Sequence, residues 1–350
     1  MITLRSQYHP SRHVPSSRSR VTGPRRVISR RHVTGRCRRL FAPLVCVVLG
    51  SAAITLAPSA SAAPGSATAR VCAGAGQAPV LVGRVPGAIL EGAVADPSGR
   101  LYVTDLVSGR LFRFDRPGAP AIAVATVPSG GGGALAWAKD GQLLVGYGAD
   151  PRVFVGDTVR AAGIARFDPA TGRLTPWVSG LSAADGLAVA RSGDVYATND
   201  FGSLVGKISP TGAVNPSWAS IPSANGAALT SDDDWLYVSR TFADPGVSRI
   251  STANPLVQQK IVSFRGVGVL AAADGLTLDS HDRPIVPTDV SGEILRVDGP
   301  GQFCALATGL PLSSVVTYGR GDSGFAAGRL YRAGFDGAVY EIPGGRDARR

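Results

Sequence analysis

Histidine and cysteine are scarce in this chain, with four of each among 350 residues. Three of the histidines and two of the cysteines (Cys37 and Cys46) fall within the first 62 residues, which leaves His281, Cys72 and Cys304 for the remainder. A nitrogen- or sulfur-rich zinc or copper site cannot be built from that set. Acid is absent from residues 1–62, which carry eleven arginines, whereas residues 63–350 hold 25 basic and 25 acidic side chains. The formal charge of +11 therefore belongs to the leader. The body lacks the net basic footprint that nucleic-acid binding requires, so no nucleic-acid partner is expected. Helical periodicity is also missing, since no long segment repeats its apolar residues at the helical interval. What is abundant is glycine (45) and proline (25), a turn-rich composition, beside 44% hydrophobic residues, enough for a packed core.

The first 62 residues read as a secretory signal peptide. Arginine dominates from Arg5 to Arg39, an apolar run follows from Leu40 to Leu56, and Ala60-Ser61-Ala62 supplies the small residues of a cleavage site. The apolar run falls short of the ~20 residues of a membrane span. Cleavage is expected after Ala62, giving a secreted body of residues 63–350 with no membrane attachment after processing. The export route is Sec or, given Arg38-Arg39-Leu40-Phe41, twin-arginine. In an oxidising compartment the one remaining cysteine pair, Cys72 and Cys304, favours a disulfide over two separate buried thiols.

The body repeats. EGAVADPSGRLYVTDLVSGRLFRFD from Glu91, DGLAVARSGDVYATNDFGSLVGKIS from Asp185, NGAALTSDDDWLYVSR from Asn225 and DGLTLDSHDRPIVPTDVSGEILRVD from Asp274 share one frame. In each, an acid or amide is followed by Gly, an alternating apolar strand, a turn and a second strand. Segments from Gly133 and Ser313 fit the same frame more loosely. The starts are 42, 52, 40, 49 and 39 residues apart. Period-two alternation indicates strand, and units of about 40–50 residues indicate propeller blades. The expected fold is all-β, a six-bladed β-propeller, with a pair of sandwiches as the alternative. Pro79–Val85 is expected to complete the last blade and close the ring, and the Cys72–Cys304 pair to fasten that closure. The longer second unit carries an insertion around Tyr147–Ala162, expected as a loop over one face.

Because inner strands of a propeller line its central channel in one direction, one repeat position maps to a ring at one mouth. That position reads Glu91, Gly133, Asp185, Asn225, Asp274 and Ser313. Three converging carboxylates repel unless a partner neutralises them. A hard divalent cation with oxygen ligands does so, with Glu91, Asp185, Asn225 and Asp274 as its ligands. The alternative is that Asp-Gly and Asn-Gly pairs are turn residues at strand entry. Asn199-Asp200 is expected in a loop or near the opposite rim, and His281 and Asp232-Asp233-Asp234 in plain surface turns. Tyr147, Phe201 and Phe242 either line loops at the mouth or pack between blades.

Leu90-Glu91-Gly92, Ala224-Asn225-Gly226, Ala273-Asp274-Gly275 and Ser314-Val315-Val316 before Leu330-Tyr331 resemble the senescence marker protein/gluconolactonase/luciferin-regenerating enzyme family, whose relatives include regucalcin and the paraoxonases. The resemblance spans about 85–343. It implies a six-bladed propeller with a divalent cation in the channel, calcium first, with magnesium, manganese or zinc as alternatives. By motif match Glu91, Asn225 and Asp274 are the implied ligands, with Asp185 at the third-blade site. The implied activity is hydrolysis of lactones or related esters: the cation polarises the carbonyl, and Asp274 first, Asp185 second, accepts a proton from water. The partner is then a small-molecule lactone or ester. Where family members follow Glu-Gly with Pro and an aromatic, this chain has Ala93 and Val94. The competing functions are a propeller that binds ligand or protein without catalysis and, more remotely, a strictosidine-synthase-like condensing enzyme.

Overall fold

The computed structural model describes residues 69–264 and 271–349. The leader read above, with its arginines and the Ala60-Ser61-Ala62 site, lies outside the described residues. The chain folds into six four-stranded antiparallel sheets, which are the six blades expected. The first strand, β1 (Val80–Arg84), is set aside for last use. Blade one is β2 (Leu90–Ala95), β3 (Leu101–Asp105), β4 (Arg110–Phe114) and β5 (Ile122–Thr126). Blade two is β6 (Gly131–Trp137), β7 (Leu143–Ala149), β8 (Ala162–Asp168) and β9 (Arg173–Leu181). Blade three is β10 (Leu187–Val189), β11 (Val195–Ala197), β12 (Leu204–Ile208) and β13 (Val214–Ser220). Blade four is β14 (Ala224–Leu229), β15 (Trp235–Arg240), β16 (Gly246–Ser251) and β17 (Gln258–Ser263). Blade five is β18 (Thr277–Leu278), β19 (Pro284–Pro287), β20 (Ile294–Gly299) and β21 (Gln302–Ala307). Blade six is β22 (Ser313–Tyr318), β23 (Leu330–Gly334) and β24 (Ala338–Ile342), completed by β1. Val80 pairs with Glu341 and Arg84 with Ala338, so the ring closes between the two ends of the body as the sequence implies.

The core is divided rather than central. Each blade presents apolar residues on both faces, and the buried clusters lie between neighbouring blades. Tyr102 and Leu111 of blade one pack on Leu143, Val145 and Phe167 of blade two. Leu144 and Ile164 of blade two meet Leu187, Val195 and Ile208 of blade three, and the pattern continues around to Tyr331 and Val339 against Leu90 and Phe114. Second strands are sandwiched on both sides, and β3 is buried at every position. Each such Leu, Val or Phe contributes about 1.5–3 kcal/mol when fully buried. With the apolar residues spent between blades, the axis is left to the polar residues at the ends of inner strands.

Cys72 and Cys304 are bonded across 232 residues, with Cα atoms 5.0 Å apart. The pair bonds as expected and anchors the segment that leads into the closing strand, but to blade five and not to the last blade itself. Cys304 lies in β21, the outer strand of blade five, and Val71 pairs parallel with Ala305 at that edge. The chain is therefore clamped to blade five before it crosses to blade six as β1. The insertion after β7 forms a 3-10 turn (Pro151–Val155) and a short helix, α1 (Gly156–Val159). Among the described residues no helix is long and apolar enough to cross a membrane.

Candidate active site

Local backbone geometry turns the ring residues toward the axis. Leu90 pairs with Asp105 and Ala93 with Val103, so Glu91-Gly92 forms a bulge of one extra residue in β2. Ala224 pairs with Arg240 and Ala227 with Val238, giving the same bulge at Asn225-Gly226. Bulges re-aim a side chain at the end of a strand. In blades three and five, Asp185 and Asp274 lie just ahead of short inner strands, held by Asp185 N–H to Thr198 O (3.2 Å) and Asp274 N–H to Pro287 O (3.1 Å).

Hydroxyl groups on or just past the second strands, and one on the inner strand of blade six, stitch neighbouring blades together around the ring residues. Thr104 accepts from Gly92 N–H at 2.8 Å and donates to Gly133 O at 2.6 Å. Thr198 accepts from Gly186 N–H and donates to Asn225 O. Ser239 donates to Asp274 O and Ser314 to Leu90 O, both at 2.6 Å. The glycine after each ring residue is demanded by this closeness, not by an unusual φ. A Cβ on Gly186 would lie 2.3 Å from Asn225 O, and one on Gly226 would lie 2.2 Å from Leu276 N. The two loose repeat copies supply no ligand: Gly133 has no side chain, and the Ser313 hydroxyl donates to Leu310 O and accepts from Arg332.

The channel mouth holds five carboxyl groups, two more than the sequence reading assembled there: Glu91, Asp185, Asp200, Asp274 and Asp289. For Asp200 the loop expectation holds and the opposite rim does not. Asp200 lies in the β11–β12 loop on the same rim as Asp185, and its N–H donates to Asp185 Oδ2 at 3.1 Å. The second strand runs back toward the channel mouth, so its far end returns to the ring residues. Asp289 was missed altogether. Each follows its partner by fifteen residues, Asp200 after Asp185 and Asp289 after Asp274, a spacing visible in the sequence.

Burial, then the charges of Asp185 and Asp289, pushes the Glu91 carboxyl well above its ordinary range. Burial, then Asp185, does the same to Asp200. Asp274 is raised by burial and by Asp289, Glu91, Asp200 and Asp185. Asp289 is pushed by burial to about 7, against the opposing pull of Asp274 and Arg332. Burial and mutual repulsion thus favour the protonated form of these acids, and only Asp289 feels an opposing cation, Arg332, among the causes of its shift.

The donor set fits a hard cation. Asp200 Oδ1, Asn225 Oδ1 and Asp289 Oδ1 are buried oxygens without a hydrogen-bond partner. An orphaned buried acceptor costs about 1–3 kcal/mol, and all three belong to the ring. Carboxylate and amide oxygens are the ligands calcium prefers. The carboxyls form two close pairs, Asp185–Asp200 and Asp274–Asp289, with Glu91 nearby.

Three ligand groups gathered within 4.8 Å of one another occur elsewhere, at Asp279, His281 and Asp347 on the opposite face. The carboxylates there are engaged by their own chain. Asp279 accepts from the His281 and Arg283 amides and pairs with the Arg283 guanidinium at 2.6 Å. Asp347 accepts from the Ser280 amide and hydroxyl. His281 is an exposed turn residue, as read from the sequence. Clefts of about 290 and 360 Å³ also open near that face, around Asp279–Arg349 and around Thr277–Ala327, and neither is lined by a channel carboxyl.

Of the three aromatics considered for the mouth, Tyr147 is core: it is buried, and its hydroxyl donates to Val178 O. Phe201 and Phe242 are exposed on the rim and stack with ring centres 5.2 Å apart. The insertion folds down beside them, with Val153 O accepting from Asn199 and Asp157 accepting from Ser182 and Ser203.

Fold and site together define a six-bladed β-propeller with a buried carboxylate ring at one mouth of its channel. No model of a known protein family matches the sequence, and no curated protein matches it. Solved structures share the fold. A gluconolactonase from Xanthomonas campestris is 18% identical, with 80% of this chain and 97% of that one covered and a TM-score of 0.61. A calcium-binding protein, regucalcin, from Agrobacterium tumefaciens is 18% identical over 75% and 93% of the two chains, with a TM-score of 0.58. A luciferin-regenerating enzyme is 16% identical over 75% and 95%, with a TM-score of 0.57. These are the proteins whose motifs the sequence resembles, and at such identities the likeness is one of fold.

Proposed function

We propose that this protein is an exported, metal-dependent hydrolase of lactones or related esters. The observation that carries the reading is the set of unpartnered buried oxygens on Asp200, Asn225 and Asp289, beside Glu91, Asp185 and Asp274, at one mouth of the channel. Glu91, Asp185, Asn225 and Asp274 would hold the cation, calcium first. When bound, it would supply Lewis acidity toward a carbonyl oxygen. The likeness of fold to a gluconolactonase and to a calcium-binding protein supports both the reaction class and the ion.

The chain's own residues then do the proton work. Asp274, fixed by the Gly275 amide at 2.8 Å, accepts a proton from the attacking water. Asp289, which couples to Asp274, shares that proton and later returns it to the leaving alkoxide oxygen. Asp185 and Asp200 form the second such pair. The inter-blade hydroxyls of Thr198 and Ser239 keep the two pairs in place. The leader of residues 1–62 would direct export and be removed after Ala62.

The test is hydrolysis of a lactone panel by the purified protein in calcium and in chelator, beside Asp274→Asn. Turnover that chelator and the variant both abolish supports the reading. Turnover indifferent to both would put the chemistry outside this site, and none with any lactone would move the protein to the non-catalytic binding propellers.

A further inference from the structure

Exposed apolar side chains gather on the rim that carries the carboxylates. The loops joining second to third strands in five consecutive blades present Val107, Phe154, Phe201, Phe242 and Val290. The three phenylalanines, from blades two, three and four, form one contiguous surface. Phe154 meets Phe201 edge-on at 4.4 Å, and Phe201 stacks on Phe242. Their exposures are 56%, 43% and 56%.

This surface is built together with the channel site. Phe201 directly follows Asp200, whose amide is bound to Asp185. Phe242 N–H donates to Ser223 Oγ at 2.8 Å, two residues ahead of Asn225, and Thr241 Oγ1 donates to Ala273 O at 2.8 Å, one residue ahead of Asp274. The loop carrying Phe242 is braced from beneath by the buried Arg240, which donates to Asp244 O, Ser248 Oγ and Val262 O. The rings are therefore preorganised, which lowers the ordering cost of binding against them.

Apart from the channel oxygens, the polar side chains that support the rings are already engaged within the chain. Asn199 is bound to Val153 O and Ser182, Asp157 to Ser182 and Ser203, and Ser223 to Phe242. A sugar lactone, with a hydroxyl on nearly every carbon, would find those partners taken and would lose hydration against the rings. An alkyl or aryl substituent would bury the rings at no such cost.

We propose that Phe154, Phe201 and Phe242 bind the apolar arm of the substrate while its carbonyl sits over the carboxylate ring, so that the protein selects lactones or esters bearing an alkyl or aryl substituent over polyhydroxylated ones. This rests on the hydrolase reading above, and the test separates the two.

Hydrolysis of γ-decalactone, γ-butyrolactone and glucono-δ-lactone by the full chain is compared under limiting substrate, and γ-decalactone binding is measured separately by calorimetry. The expected result is a preference for γ-decalactone over γ-butyrolactone of at least about tenfold in kcat/KM. A Phe201→Ala/Phe242→Ala variant brings that ratio close to one, through KM, and a Phe201→Leu/Phe242→Leu variant restores most of it. Melting curves of each variant confirm folding. A preference for glucono-δ-lactone, or a ratio the alanine pair leaves unchanged, overturns the proposal and leaves the hydrolase standing. If no lactone is hydrolysed but γ-decalactone binds and the alanine pair abolishes that binding, the hydrolase reading fails and the aromatic site stands. Neither turnover nor binding overturns both.

Discussion

Blade five carries acid at both ends of its inner strand, and the two ends behave differently. At one, Asp274 is buried beside Glu91, and the half-buried Asp289 keeps one buried oxygen with no partner. At the other, Asp279 and Asp347 lie close to His281, yet their oxygens are filled by amides, a hydroxyl and Arg283. The second cluster is the tighter one and the better satisfied. Proximity of acids does not make a site; buried oxygens left without donors do, because only an incoming proton, cation or substrate can satisfy them. The turn at Asp279 recurs in blade one, where Asp96 takes the Ser98 and Arg100 amides and the Arg100 guanidinium, which marks it as a structural device of the repeat.

The sharpest way to break this contrast is mutation at each end. Asp274→Ala is expected to lower lactone hydrolysis by about 10²–10⁴-fold. Asp279→Ala should leave the rate within a few-fold but lower stability by about 1–3 kcal/mol, read from the denaturant midpoint, because Arg283 and two amides lose their acceptor. Equal losses of rate would end the distinction.

pH separates the two ends next. Glu91, Asp200, Asp274 and Asp289 are raised above the unfolded carboxyl value of about 4. A raised acid binds more protons folded than unfolded, so its contribution is present at low pH and is lost as pH rises through the folded value, about 7 for Asp289. In chelator the melting temperature should therefore fall between about pH 5 and about pH 8, by several degrees. Asp289→Asn should flatten that fall, and Asp347→Asn should not.

A smaller effect is expected from the scaffold. Ser239→Ala removes the bond that holds the Asp274 backbone and should cost about 1–2 kcal/mol of stability while weakening the response to calcium. Ser280→Ala, which loses the hydroxyl bonds to Asp347 and His281, should weaken neither the response nor the rate. Least of all, His281→Ala should stay within about 0.5 kcal/mol of the parent in a melt.

Much of this was legible in the sequence. The repeat frame gave the six blades, the closing strand near Pro79–Val85 and the rim on which Glu91, Asp185, Asn225 and Asp274 meet, because period-two alternation and motif spacing are local properties of the chain. Asp200 and Asp289 sit past the second strand of their repeat copies, where spacing alone does not tell which rim they face. The residues two places past Thr198 and Pro287 return to the same rim only once the second strand is placed antiparallel. Tyr147 illustrates the other limit. Its neighbours on the insertion lie on the rim, but one residue's difference along β7 turns its ring into the core between blades. The docking of the insertion onto blade three depends on Asp157 finding Ser182 and Ser203, contacts across 25 and 46 residues that no motif announces.

The most direct test of the central claim is a melt of the protein in chelator and in millimolar calcium, beside Asn225→Ala and Asp274→Ala. A ligand bound only by the folded state raises the melting temperature by mass action. The account predicts a rise of several degrees in the parent that both variants lose. No rise with calcium or any other divalent ion, or a rise that both variants keep, would contradict it.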